Sequence, residues 1–471
     1  MKRLQGKFNL LVALILCFSM ITVPASALTI GEEREIGEKL LFTVRTQFSL
    51  LDDPDISQYI NELGKEVLAQ AGPRYFDYHF FVIPNSEFNA FAAPSGLIFF
   101  FSGLIETMKT ENELISVMAH EIGHVVSRHI ASRSDKGAKV GAISMALALA
   151  SLALGDPSLA TGLFTGFQAA GQAANLHFSR ADEEQADRLS YDWMNSLHRD
   201  PHAMEGMLKT MRRITRYRSG QIPQYLLTHP NPEARLEYVQ SLLDYQSIEA
   251  DPPRYNAVDN FDFIRMKYRV IVSANDPQKA RAFFSNALAT GKNDKEKIMA
   301  TYGLALLEAR ELNFSKALEN LSKVRNYYPD RSLLDVDAGI MYLDSGEAKK
   351  ALELLSHAYE SDPYDMYAVF NLARAYEKVG RVDNAVDMYN KVMKNMPEYS
   401  KIYYELGRIK AGQGRGDESN FYLGKFYLYE GKMKFAREYL VKTTKSTTVS
   451  PAIQSEAETL LEKLDKLEDK S

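Results

Sequence analysis

Apolar residues recur every three or four positions from Leu28 to about Ala71. In "GEEREIGEKLLFTVRTQF" and "ISQYINELGKEVLAQAG" this period predicts helix, and Gly72 follows as a stop. The pattern then changes. "YHFFVIPNSEFNAFAAPSGLIFFFSGLIE" is dense in aromatic and β-branched residues around Asn85, Pro94 and Gly96, which predicts two or three short strands. Thr110 and Glu113 form a Thr-x-x-Glu capping box at the start of the next helix. That helix carries "VMAHEIGHVVSRH" (117–129), with Leu114, Ile115, Val117, Met118, Ile122 and Val125 as its apolar face. From 136 to 176 charge almost disappears and Ala, Gly and Leu dominate. The uninterrupted apolar run 140–154 is short for a membrane span. The segment predicts two helices packed over the domain or a hydrophobic flap, with peripheral membrane contact possible; a membrane hairpin is the alternative. A charged helix, "SRADEEQADRLSYDWMNSL", and a loop with "LTHPNPEARLEYVQSLL" follow.

Past about residue 255 the pattern repeats. Pro329, Pro363 and Pro397 are spaced by one period of 34, as are Ala317, Ala351 and Ala385, and Gly346, Gly380 and Gly414. This is the tetratricopeptide signature: two helices per unit, small residues where they cross, proline between units. "NLARAYEKVGRVDNAVDMYNKVMKNMP" is the best copy, and "DPQKARAFFSNALATGKND" is a degenerate leading one. "YLGKFYLYEGKMKFAREYL" is shifted by half a repeat, so one unit's second helix could serve as the next unit's first. The expected fold is mainly α, with a domain over 28–255 containing a small β-sheet and an α-solenoid over 256–471. Such a solenoid offers a concave surface for extended peptides or other proteins.

Composition changes this picture only at the N-terminus. Residues 1–27 combine Lys2, Arg3 and Lys7, an apolar core and a small-x-small site at Ala25-Ser26-Ala27, which reads as a secretory signal peptide; an uncleaved anchor is the alternative. The single cysteine, Cys17, lies within it, so the exported chain has neither disulfides nor a thiol nucleophile. Without that segment, 53 Lys and Arg stand against 61 Asp and Glu, a net charge of −8. A mildly acidic chain excludes nucleic acid as the main partner.

The chemistry is concentrated in His120-Glu121-Ile122-Gly123-His124. On a helix the two imidazoles lie one turn and about 40° apart, so both can reach one ion. Glu121, angularly offset, can take a proton from water at that ion. His129 lies nine residues from His120, which on a continuous helix puts it on the opposite side, in a surface or packing role. Zinc requires a third protein ligand and an open fourth position. With no cysteine available, the candidates are other histidines or a carboxylate. Glu183 and Asp187 share a helix face, and Glu183 as ligand with Asp187 orienting a ligand imidazole is the economical arrangement. His177, His198 and His202 read as structural or surface residues.

"HEIGH" followed by "EEQAD" resembles the gluzincin metallopeptidases related to the CAAX prenyl protease and the heat-shock protease HtpX. The resemblance implies one Zn²⁺ per chain and selects Glu183 over Glu184 as third ligand. "NAFAAPSGLIFFFSGLI" resembles that family's active-site edge strand, placing substrate along 91–97. "THPNPEARL" matches a further motif: it implies that His229 can block the open zinc position at rest and that Arg235 braces this segment or a substrate carbonyl. With its leader and repeats, the chain resembles the periplasmic β-barrel assembly-enhancing proteases. That resemblance implies a periplasmic zinc endopeptidase in outer-membrane protein assembly and quality control. Its partners would be unfolded or stalled outer-membrane proteins and the barrel-assembly machinery, reached through the repeats. Two rivals are a chaperone or scaffold with little proteolysis, and a membrane peptidase anchored through 136–176.

Overall fold

The computed structural model describes residues 28–47, 49–132, 178–217, 224–247 and 254–468. The expected leader 1–27, the apolar segment 136–176 and His177 lie outside the described residues. Two helices come first, α1 (Ile30–Gln47) and α2 (Pro54–Leu68). Asp53 caps α2 by accepting from the backbone amides of Asp55 and Ile56, and Pro54 takes the first turn, where no amide hydrogen is needed.

Three strands follow: β1 (His79–Ile83), β2 (Ala90–Ala93) and β3 (Leu97–Phe101). β3 is central, parallel to β1 and antiparallel to β2. Both faces of the sheet are covered, which is why "LIFFF" is apolar throughout. Phe91, Phe99 and Phe101 pack on Leu40 and Val44 of α1, while Phe80, Ala92, Ile98 and Phe100 join the main core. The stretch 91–97, expected to be one edge strand, is divided. Residues up to Ala93 lie in β2, Pro94–Gly96 forms a 3₁₀ turn, and Leu97 opens the central strand. The turn is tight: Ser95 has a φ of 69°, and a Cβ on Gly37 of α1 would stand 2.3 Å from its side chain.

After the short helix α3 (Ser102–Thr107) comes α4 (Glu111–Val126), whose expected apolar face is wholly buried. Only half the capping box forms: the Thr110 hydroxyl accepts from Glu113 N, but the Glu113 carboxylate turns to Lys109 N. The domain continues with α5 (His129–Ser132), α6 (Arg180–Ser196), α7 (His202–Tyr217), α8 (Gln224–Thr228) and α9 (Pro232–Ser247). α4 crosses α6 where Gly123 meets Ala186; a Cβ on Gly123 would lie 3.2 Å from Ala186 Cα. The two small residues let the backbones approach, so side chains one turn away on each helix converge.

The second half is a stack of helices: α10 (Phe261–Ala274), α11 (Pro277–Thr290), α12 (Asp294–Arg310), α13 (Phe314–Tyr327), α14 (Ser332–Asp344), α15 (Ala348–Ser361), α16 (Met366–Lys378), α17 (Val382–Asn395), α18 (Ser400–Gly412), α19 (Gly416–Tyr429), α20 (Met433–Thr444) and α21 (Pro451–Glu468). Ala317, Ala351 and Ala385, the alanine ladder of the sequence, are fully buried. The half-repeat shift has a visible basis. Gly424 of α19 receives Leu440 of α20 as Gly339 of α14 receives Leu355 of α15, so α19 partners the helices on both sides. α10 is shared: Phe263, Met266 and Val270 enter the first domain's core, while Phe261 packs among the repeats. No helix among the described residues is long and apolar enough to cross a membrane.

Candidate metal centre

Crossing α4 and α6 brings His120 and His124 against Glu183, and the turn after α8 adds His229. One donor atom from each of these four buried residues lies within 4.8 Å of each of the others. His120 Nε2 is 3.1 Å from His124 Nε2, 3.5 Å from Glu183 Oε2 and 3.4 Å from His229 Nδ1. Glu183 Oε1 is 3.6 Å from His124 Nε2 and 3.0 Å from His229 Nδ1. The donors converge on one point.

The protonation of His124 and Glu183 suits a cation there, whereas His120 must lose a proton to bind one. Burial, followed by the neighbouring His120, holds the His124 imidazole well below its usual range, leaving it neutral with a free lone pair. For Glu183, burial is outweighed by His229, Arg235 and His120, and its carboxyl stays well below the ordinary glutamate value. Burial and Arg235 push His120 down, but Asp187 and Glu183 prevail and raise it to about 9. His120 Nδ1 meets Asp187 Oδ1 at 2.9 Å, which points Nε2 into the cluster. Asp187 is itself gripped by the Arg235 guanidinium, Nε to Oδ2 at 2.8 Å and Nη2 to Oδ1 at 2.7 Å, while Arg235 Nη1 lies 2.9 Å from Glu183 Oε2.

Glu121 differs from these partners. Both its carboxylate oxygens are buried and accept no hydrogen bond; His229 Nε2 is 3.5 Å from Oε1. His229 is held by stacking on Tyr225, with ring centroids 4.3 Å apart, and by its amide donating to Tyr225 O. Phe178 stacks on His124 at 3.8 Å and donates its amide to Thr228 O, tying the start of α6 to α8.

All seven residues singled out in the sequence, His120, Glu121, His124, Glu183, Asp187, His229 and Arg235, therefore meet in one buried site. His198 and His202 lie on the surface. His129 requires a correction. α4 stops at Val126, Arg128 adopts a φ of 53°, and the chain turns back so that His129 is buried with its Nδ1 2.9 Å from His124 Nδ1. Continuous-helix geometry failed because the helix ends three residues earlier. Phe178 and Tyr225 were also missed, because their roles depend on contacts distant in sequence and no local motif marks them; Gln185 lies within "EEQAD" but its contact with His129 is 56 residues away in the chain.

Residues 54–243 match Peptidase family M48, and residues 342–394 match the Tetratricopeptide repeat. The chain is similar to the Beta-barrel assembly-enhancing protease of Escherichia coli (strain K12), 27% identical over 456 residues that cover 96% of this chain and 91% of that protein. A Putative beta-barrel assembly-enhancing protease of Vibrio cholerae serotype O1 is 29% identical over 66% of this chain and 63% of its own length. Metalloprotease LoiP of Escherichia coli (strain K12) is 26% identical over 40% of this chain and 69% of its own. The chain thus contains an M48 metallopeptidase region over residues 54–243 and, further on, a tetratricopeptide repeat over residues 342–394.

Proposed function

We propose that this peptidase is a zinc-dependent endopeptidase of the periplasm that cleaves unfolded or misassembled outer-membrane proteins brought to it by its repeats. The observation that carries the zinc reading is the donor set. Zinc bonds of about 2.0–2.1 Å in a tetrahedron imply donors roughly 3.3 Å apart, and imidazole nitrogens with one carboxylate suit zinc better than calcium or magnesium. The donor separations of 3.0–3.6 Å fall around that value. The leader-like segment 1–27 supports export, and the names of the relatives support a role in β-barrel assembly. On this reading residues 28–255 are the peptidase unit and 256–471 the repeat unit, whose partners are client proteins and the barrel-assembly machinery.

In this mechanism His120, His124 and Glu183 would hold the ion, and Asp187 fixes the His120 ring. Zinc, when bound, supplies a Lewis acid for water and for the scissile carbonyl. Glu121 accepts the proton of the attacking water and delivers it to the leaving amine. Its unpaired, buried carboxylate is free for that transfer. Substrate lies extended beside β2, whose backbone pairing tolerates many sequences. His229 lies among the donors and next to Glu121, where it would compete for the ion's open position, so turnover would require it to withdraw; Arg235 braces Asp187 and Glu183.

A Glu121→Gln protein is expected to bind zinc as the wild type does and to lose cleavage of an unfolded outer-membrane protein by at least about 100-fold. Equal cleavage by the two would overturn the assignment. A scaffold reading with little proteolysis is favoured by one observation, the near-complete burial of His120, Glu121 and His124. It requires Glu121→Gln to retain full cellular function while the wild type never cleaves a client.

A further inference from the structure

The two helix histidines have different supports. Asp187 backs His120, whereas among the described residues the group at the outer nitrogen of His124 is another imidazole, His129 Nδ1 at 2.9 Å. The far nitrogen of His129, Nε2, is 3.0 Å from Gln185 Oε1, in the same "EEQAD" segment that supplies Glu183. We infer that His129 is a positioning residue for the metal centre, an imidazole whose Nδ1 accepts the His124 Nδ1 proton and so aims His124 Nε2 at the ion. This rests on the metal-site reading above.

The order of protons follows from the ion outward. A neutral imidazole that binds through Nε2 must carry its proton on Nδ1. His124 therefore donates to His129, whose Nδ1 must be the bare nitrogen. His129 then carries its proton on Nε2, and Gln185 Oε1 is the acceptor placed to receive it. Each nitrogen has one role, and no group in the chain is left with two protons or none.

The fold builds this contact on purpose-made geometry. Ser127 N returns to Gly123 O, Arg128 N to Val125 O, and the left-handed Arg128 swings His129 back beside the helix it has just left. Arg128 is clamped there by Glu33 of α1, whose contacts run through Nε at 2.7 Å and through Nη2, and by the carbonyl of Leu28. Ile36 and Ala131 pack beneath the turn with Leu28. Phe178 stacked on the His124 ring closes its remaining face, so rotation of His124 is opposed from two sides.

The test compares zinc affinity of the full chain, by competition with a chromophoric chelator, for wild type, His129→Leu and His129→Asn. Leucine and asparagine have similar shapes, but only asparagine places an acceptor oxygen near the Nδ1 position. Leucine is expected to weaken zinc binding by about 10–100-fold, and asparagine to restore it to within about threefold of wild type. Equal affinities in the two variants, whether both kept or both lost, would overturn the relay and leave the metal site standing. Failure of the wild type to take up one zinc would instead overturn the site itself. If His129→Leu does not fold, nitrogen-15 NMR of the zinc-loaded wild type decides: a bare Nδ1 on His129 supports the inference, and a protonated Nδ1 removes it.

Discussion

Two buried glutamates in one site show how neighbours decide what a residue can do. Glu183 is surrounded by three imidazoles and a guanidinium and stays charged; Glu121, one residue along the helix from His120, has no hydrogen-bond partner for either oxygen. Nothing in their side chains distinguishes them. Elsewhere, Asp365 shows the same dependence with opposite sign. It caps α16 by accepting from Tyr367 N, yet burial, followed by the Asp55 carboxylate, pushes its carboxyl up to about 7. A folded-state value raised above the unfolded one means the protonated form is favoured by folding. The protein pays nothing at low pH, and the penalty grows as pH rises above the unfolded value, becoming complete above about 7. Asp365→Asn keeps the cap without the charge. It should raise stability by about 1–3 kcal/mol at pH 8 and by nearly nothing at pH 4. Denaturant midpoints at the two pH values measure this; an equal change at both would show that charge is not the cause.

At the scale of elements, the repeat helices reveal where local sequence and geometry agree. The turns inside successive units place Gly346, Gly380 and Gly414 at φ of 90°, 81° and 74°. One period earlier the same place is held by Leu312, at φ 63° and 72% exposed. A leucine in this conformation is strained by roughly 1 kcal/mol and gains little from packing while exposed. Leu312→Asn is therefore expected to stabilise the protein by about 0.5–1 kcal/mol, read as a rise in the thermal midpoint. A fall would mean that Leu312 makes a contribution its exposure conceals. The glycine ladder made these turns legible in the sequence; the missing rung at 312 kept the same shape because the helices on either side still had to pack. The break after α4 was illegible for the converse reason. "SRH" contains no glycine, proline or asparagine, and the left-handed Arg128 is held by Glu33, 95 residues earlier in the chain.

Across the whole molecule, the peptidase and repeat halves are joined through buried charge. Arg265 of α10 binds Asp55 at the start of α2 with Nη1, at 2.8 and 2.7 Å, and Asp337 of α14 with Nε and Nη2. Arg269 reaches Asp53 at 2.8 Å and Asp337 at 3.1 Å, while the hydroxyls of Tyr302 and Tyr367 also donate to Asp337. Such a network contributes little net stability over apolar packing, but breaking one partner leaves the others charged and buried. Arg265→Met should cost about 3–5 kcal/mol and accelerate hydrogen exchange at both α2 and α14. Unchanged exchange at either helix would separate the two halves energetically. α1 forms a second bridge: Glu33 supports the His129 turn at one end, while Arg45 binds Glu398 at 2.7 Å and the carbonyl of Tyr429 at the other.

What the sequence determined by itself was everything carried by spacing along one helix or by a fixed period. His120, Glu121 and His124 fall together because 3.6 residues make a turn, and the 34-residue ladders set the repeats because each unit packs only on its neighbours. Glu183 and Asp187 were reached as a carboxylate pair on one helix face, with a matching motif selecting Glu183 over Glu184, and His229 and Arg235 came through a motif alone, since no local rule links any of them to the helix at 120. The tertiary structure alone decided that Gly123 and Ala186 make the crossing that unites them, that His229 lies among the other donors, and that His129 turns inward. It also divided the expected edge strand and shared α10 between two cores. The physical reason is the same in each case. These outcomes depend on close packing between segments far apart in the chain, and a local pattern of polar and apolar residues says which face is buried but not what it is buried against.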